Sequence, residues 1–196
     1  MTVKNIVIPE NIEALIFDCD GTLVDSMPIH LQAWQIAVEK FGGKWNYDHF
    51  SNSRGMNGPD IIAAYNKKFN ADLNAENVLE VKNSYFKEHL STIKPIQQVV
   101  DVAIEYKGRL PMAVVSGGTK ENVFAELEVT GIIDLFDYFL TSDNDIKPKP
   151  APDLFLHAAK LMDVKPERCI VFEDGDLGLL AAEAAGMATV DVREYI

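Results

Sequence analysis

Apolar residues follow two different periods along this chain. Short unbroken runs, Ala14 to Phe17, Pro111 to Val115 and Cys169 to Phe172, have the pattern of strands covered on both faces. Between about 27 and 93 the period is helical instead. Ile29, Ala33, Trp34, Ala37, Val38 and Phe41 recur at helical spacing, with Ser26 as N-cap, Pro28 in the first turn and Gly42-Gly43 as the stop. Pro59 to Phe69 places Ile61, Ile62, Tyr65 and Phe69 on one stripe, and Ala75 to Leu90 does so with Val78, Leu79, Val81, Tyr85 and Phe86. No strand candidate competes in this span. From Pro95 the two periods alternate: helices over 95–107, 119–129, 152–162 and 176–185 precede strands over 111–115, 136–141, 169–172 and 188–192. The pattern predicts an α/β chain with a parallel sheet and a helical insertion after its first strand.

Each apolar run ends in residues able to do chemistry. The first runs into Asp18-Cys19-Asp20-Gly21-Thr22, the second into Ser116-Gly117-Gly118, and the fourth strand into Glu173-Asp174-Gly175. Between the last two lies Lys147-Pro148-Lys149-Pro150-Ala151-Pro152-Asp153, whose prolines constrain the backbone from which a lysine would reach inward. Asp-x-Asp-Gly alone is as readily a solvated acidic turn. The ordered set favours a site instead, because ligands of open parallel sheets bind beyond the carboxyl ends of the strands.

These residues resemble the haloacid dehalogenase (HAD) superfamily of phosphotransferases over the whole chain. Asp18-x-Asp20-Gly-Thr-Leu-Val-Asp-Ser is similar to its first motif, Ser116 to its second, Lys149 to its third and Glu173-Asp174 to its fourth. The segments Asp20 to Trp34 and Lys149 to Gly186 are most similar to the sugar-phosphate phosphatase and β-phosphoglucomutase branch, especially small fructose-1-phosphate-type phosphatases. The resemblance implies a Rossmann-like parallel-sheet core, residues 1–26 and 94–196, with a small all-helical cap, residues 27–93. It also implies that the first strand lies between the second and fourth.

Asp18, first off the strand, is the expected nucleophile, matching the family role, because a carboxylate can attack phosphorus and divide hydrolysis into two steps. Asp20, one step further out, suits proton transfer with the leaving oxygen, and neighbouring carboxylates are expected to keep it protonated. Its backbone carbonyl resembles a family metal ligand. Asp18, Glu173 and Asp174 crowded around a phosphate call for Mg²⁺, Asp174 ligating directly and Glu173 directly or through water; alone, the acidic pair would more simply cap the helix near 176. Ser116 and Gly117 can present a hydroxyl and backbone N–H groups to phosphate oxygens, although a plain N-cap uses the same geometry. Lys149 offsets phosphoryl charge, and Lys147 is expected to be exposed. Thr22 is a further phosphate contact and Asp25 a turn-former. His30 is a hinge or substrate contact, whereas Trp34 on an amphipathic helix is ordinarily core.

The turn-rich stretch Ser51 to Gly58 is the natural specificity loop, with Arg54 and Asn57 as substrate contacts. The mutase pattern holds its second phosphate with an arginine about where this chain has Gly58, which lowers the mutase alternative. Arg54 or Lys82 would be the substitutes, but a charge on a helical cap is ordinarily solvated. The main expectation is a Mg²⁺-dependent sugar-phosphate phosphatase. The alternatives are a phosphohexomutase and a non-catalytic sugar-phosphate binding domain.

Charge and cysteines narrow the partners to a small phosphorylated sugar or polyol. With 18 Lys+Arg against 30 Asp+Glu, the net charge of −12 repels nucleic acid. Cys19 and Cys169 fall in or beside core strands, where a free thiol packs as a small hydrophobe. No leader pattern or apolar stretch near 20 residues is present, so the expectation is a cytoplasmic monomer or weak oligomer with no membrane contact.

Overall fold

The computed structural model describes residues 6–196; the first five residues of the expected core segment lie outside the described residues. After strand β1 (Ala14–Phe17) come helices α1 (Met27–Lys40), α2 (Tyr47–Ser51), α3 (Gly58–Phe69) and α4 (Ala75–His89). The alternating half follows as α5 (Gln97–Tyr106), β2 (Met112–Val115), α6 (Lys120–Val129), β3 (Tyr138–Leu140), α7 (Asp153–Leu161), β4 (Cys169–Glu173), α8 (Asp176–Ala184) and β5 (Ala188–Asp191). The strands form one parallel sheet in the order β3-β2-β1-β4-β5, so β1 lies between β2 and β4 and the order reverses beside it. Ligands of such folds bind above that reversal.

The pleat explains the unbroken apolar runs. Leu15, Phe17, Met112, Val114, Ile170 and Phe172 face one cluster, covered by α5 and α6. Ala14, Ile16, Ala113, Val115, Cys169 and Val171 face the other, covered by α7 and α8. With both faces sealed, alternation has nothing polar to alternate with. Both cysteines are buried and unpaired, as expected.

Helices α1 to α4 build a third cluster of their own, in which Trp34, Trp45 and Tyr65 each stack on Phe50. Helix α2 was not expected: five residues are too few for a stripe, and its local signal is Asn46, whose side chain accepts from the His49 N–H at 2.8 Å. Ser26 occupies the N-cap position of α1, yet its hydroxyl makes no capping bond and turns elsewhere. Among the described residues no helix is long and apolar enough to cross a membrane.

Candidate active site

Parallel register brings the acidic residues together. Phe17 is paired with Phe172, so Asp18 and Glu173 leave their strands in the same row, and the Asp18 N–H donates to the Phe172 carbonyl at 3.0 Å. Lys149 enters from the loop before α7. Its Nζ lies 2.7 Å from Asp18 Oδ1, 2.7 Å from Glu173 Oε2 and 3.1 Å from the Val115 carbonyl, in complete burial. Burial alone would lower the lysine, but the two facing carboxylates outweigh it and raise it above its ordinary value. One cation shared by so many acids leaves the others short. Burial and the Asp18 charge push Glu173 up to about 8, and burial raises Asp18 despite the attraction of Lys149.

Asp174 completes the cluster. Its Oδ2 accepts from Arg54 Nη1 at 2.7 Å, while burial and Asp18 push it up to about 7. Gly21 makes the approach possible, since at φ +81° it turns the chain and a methyl group there would lie 2.3 Å from Asp174 Oδ2. Asp18, Glu173 and Asp174 each offer an oxygen within 4.8 Å of the others. Asp174 Oδ1 and Thr22 Oγ1 are buried without any hydrogen-bond partner. Hard oxygen donors, three raised carboxyls and an orphaned carboxylate oxygen fit a divalent cation of the Mg²⁺ type. Glu173 has the least to offer it, because its oxygens are already engaged by Lys149 and, at 3.0 Å, by the Gly175 N–H.

Asp20 faces a different neighbourhood, and its protonation differs from expectation. Its Oδ1 accepts from Ser26 Oγ at 2.6 Å and lies 2.6 Å from His30 Nε2, while Oδ2 is 3.5 Å from Ser116 Oγ. Burial would raise this carboxyl, but the His30 charge and the hydrogen bonds around it hold it far below its ordinary range. Of the carboxylates expected to keep Asp20 protonated, Asp18 and Glu173 are turned toward Lys149 and Asp174 toward Arg54, while Asp20 faces His30. Its carboxylate also stands outside the Asp18–Glu173–Asp174 group, falling instead with Cys19 and Glu126.

Both simple capping alternatives are overturned. Helix α6 is capped by Thr119, whose Oγ1 accepts from the Asn122 N–H, whereas Ser116 Oγ accepts from the Gly118 N–H at 2.9 Å. Helix α8 has Gly175 at its N-cap and no side-chain cap, so Glu173 and Asp174 are free of that duty. Lys147 is exposed, as expected.

A cavity of about 150 Å³ opens beside Asp20, between the sheet edge and the helical segment, and is lined by His30, Trp34, Arg54, Lys82 and Gly117 among others. Two expectations change here. Lys82 is only 7% exposed, its Nζ 5.0 Å from the Phe86 ring centre and 5.7 Å from that of Trp34, so it is not a solvated surface charge. Arg54 is likewise turned inward onto Asp174. Trp34 serves both the helical core and the cavity wall. Asn57, expected at the substrate, is absent from the lining: its side chain caps α3 by accepting from the Asp60 N–H at 2.9 Å. A methyl group on Gly117 would lie 2.5 Å from the Gly55 carbonyl, so the two loops touch backbone to backbone. One on Gly58 would lie 2.5 Å from Leu79 Cδ2, so a side chain there would require Leu79 to shift.

Glu126 is absent from the sequence expectations, and Lys82 is expected there only as a solvated substitute for the arginine, although a signal for burial existed for both. Val78, Lys82 and Phe86 are four apart, as are Asn122 and Glu126 beside Val123 and Leu127, which places each polar residue on the buried stripe of its helix.

The family model for haloacid dehalogenase-like hydrolases matches residues 12–186. The chain is 36% identical over 185 residues to the fructose-1-phosphate phosphatase YqaB of Escherichia coli K12, covering 94% of this chain and 98% of that one. The crystal structure of a hydrolase from Pseudomonas syringae superposes with a TM-score of 0.81 at 25% identity, covering 90% of this chain and 82% of that one. β-Phosphoglucomutase from Clostridium difficile does so at 0.78 and 26%, with 91% and 83% covered.

Proposed function

This chain belongs to the haloacid dehalogenase-like hydrolases, as an enzyme of the phosphoric monoester hydrolase type, and we propose that it is a Mg²⁺-dependent phosphatase of small sugar phosphates working through an aspartyl-phosphate intermediate. The observation that carries the reading is Asp18, held 2.7 Å from a fully buried Lys149 at the sheet's reversal point. Asp18 forms a bond to phosphorus as the bond from phosphorus to the sugar oxygen breaks, and Asp20 delivers a proton to that oxygen. The proton is at hand on His30, 2.6 Å from Asp20. Water then attacks phosphorus, gives its proton to Asp20 and restores Asp18. Lys149 keeps Asp18 oriented and offsets the charge gathering on the phosphoryl group. Mg²⁺ would be held by Asp18, Asp174 and the Asp20 carbonyl, with Glu173 directly or through water, and supplies positive charge to the same oxygens.

Residues 27–93 serve as the cap over the core, with Arg54, His30 and Lys82 facing the sugar and Ser116, Gly117 and Thr22 the phosphate. The sugar-phosphate class is supported by the similarity to the E. coli fructose-1-phosphate phosphatase and by a buried ammonium with no carboxylate of its own. Leu79 in the space beside Gly58 favours hydrolysis over mutase chemistry, which must grip a second phosphate. The buried free thiols suit a cytoplasmic location, and we take the protein to be a monomer or weak oligomer.

With Mg²⁺, fructose 1-phosphate should release inorganic phosphate, and Asp18→Asn should lower that rate by about 10³-fold or more. β-Glucose 1-phosphate with a β-glucose 1,6-bisphosphate primer should yield phosphate with little glucose 6-phosphate. Near-quantitative glucose 6-phosphate would overturn the phosphatase reading, and an active Asp18→Asn variant would overturn the nucleophile.

A further inference from the structure

Behind the Asp20–His30 pair sits a carboxyl group that the mechanism above does not use. Glu126, on the core helix α6, has no solvent exposure. Its Oε2 accepts from the Cys19 thiol at 3.2 Å, its Oε1 lies 3.4 Å from His30 Nε2, and the carboxyl also faces Asp20. A buried acid beside another carboxylate is a costly choice where leucine would pack as well. Such departures from ordinary packing collect at functional sites. Cys19, Asp20 and Glu126 are close enough to hold an ion, but burial and nearby carboxylates push the Cys19 thiol well up and Glu126 to about 8, so both keep their protons and the trio is a poor ligand set.

Glu126 thus faces both Asp20 and His30, the residue that orients it. The His30 ring lies flat on Phe86, with 4.2 Å between centroids and 9° between planes, which fixes its tilt but leaves it free to slide and spin in that plane. In-plane position is set at Nε2, the ring atom that meets both Asp20 and Glu126. Because α1 carries His30 and α6 carries Glu126, this contact ties the helical segment to the core at the atom that matters for Asp20. We propose that Glu126 is a positioning residue that holds the His30 ring in place and, through it and beside it, aims Asp20 at the departing sugar oxygen. The inference rests on the phosphatase reading for its kinetic readout.

The test compares two leaving groups in the full-length protein with Mg²⁺. p-Nitrophenolate departs without a proton, whereas the alkoxide of fructose 1-phosphate needs one from Asp20. For Glu126→Leu we expect kcat on fructose 1-phosphate to fall about tenfold or more, with KM and the p-nitrophenyl phosphate rate each within about twofold. Glu126→Gln, which still presents an oxygen to Nε2, should recover most of the loss. Equal losses on both substrates, no loss on either, or a glutamine variant as poor as leucine would overturn the proposal. Should the leucine variant fail to fold, Glu126→Met is judged by the same ratio of substrates. If the wild-type protein hydrolyses neither ester, the phosphatase reading fails by itself; the positioning role is then judged by the His30 imidazole resonances, which should move in the leucine variant and return in the glutamine one. Resonances unmoved by leucine would overturn it.

Discussion

Two lysines are buried almost equally in this molecule, and they are held in opposite ways. Lys149, at the sheet edge, is bonded to Asp18, Glu173 and a backbone carbonyl, all within 3.1 Å. Lys82, on helix α4, has the ring faces of Phe86 and Trp34 beside its ammonium. The facing carboxylates raise Lys149 above its ordinary value, whereas burial lowers Lys82 despite the pull of Asp20 and Glu126. The charge of Lys149 is committed within the fold; that of Lys82 remains available to a ligand. The sheet and the helical segment 27–93 divide along this line, the ends of the central strands holding charges against one another and the helices presenting a loosely committed charge to the cavity.

The same substitution at both positions should break the comparison most sharply. Lys149→Met leaves two buried carboxylates without their cation, so the metal-free protein should lose about 3 kcal/mol or more of unfolding free energy, and turnover should vanish. Denaturant melts and phosphate release check this; a stability loss below about 1 kcal/mol would show that the triad is not held by its cation. Lys82→Met replaces an unpaired buried ammonium with an apolar chain of similar length, so stability should be unchanged or slightly higher. Its cost should appear as a KM for sugar phosphates raised about tenfold, or about 1.4 kcal/mol. An unchanged KM would remove Lys82 from the substrate's surroundings.

The smallest effect concerns the acids that Lys149 cannot balance. Without metal, burial and Asp18 push Glu173 up to about 8 and Asp174 to about 7. Above about pH 5 the unfolded chain has released these protons while the folded protein still holds them, so stability should fall as pH rises through that window and level off above about 8. Tm of the metal-free protein should drop by a few degrees between about pH 6 and 8, and saturating Mg²⁺, which favours the ionised carboxylates, should flatten the slope. A Tm independent of pH without metal would contradict the crowding of these three acids.

Locally encoded features were readable in advance for a physical reason: they depend on residues near in sequence. Runs such as Ala14 to Phe17 are unbroken because both faces of the sheet are covered. Helix α1 ends before Gly42, whose φ of +80° suits glycine, and Ala33, Trp34, Ala37 and Val38 of its expected stripe are buried, whereas Ile29 is partly buried and Phe41, past the helix end, is exposed. Helix α2 escaped notice because a single turn has no period to detect. Lys82 and Asn57 were misplaced because residue type was weighed over position. A lysine at the stripe spacing of Val78 and Phe86 is buried, and an asparagine just before Gly58-Pro59 is spent on capping α3.

The sequence by itself determined the order of elements, the placing of Asp18, Ser116 and Glu173-Asp174 next to strand ends and that of Lys149 in the proline-rich loop before α7, since periodicity and chain order are properties of the string. Tertiary structure decided which charge meets which. Lys149 and Asp18 are 131 residues apart, Arg54 and Asp174 120, and Cys19 and Glu126 107, yet each pair is in contact. Coulomb attraction and desolvation depend on distances and burial that appear only when the helical segment closes over the sheet. That is why Asp20, flanked in the sequence by other acids, is held ionised by His30, while Glu173 and Asp174 are driven toward their neutral forms.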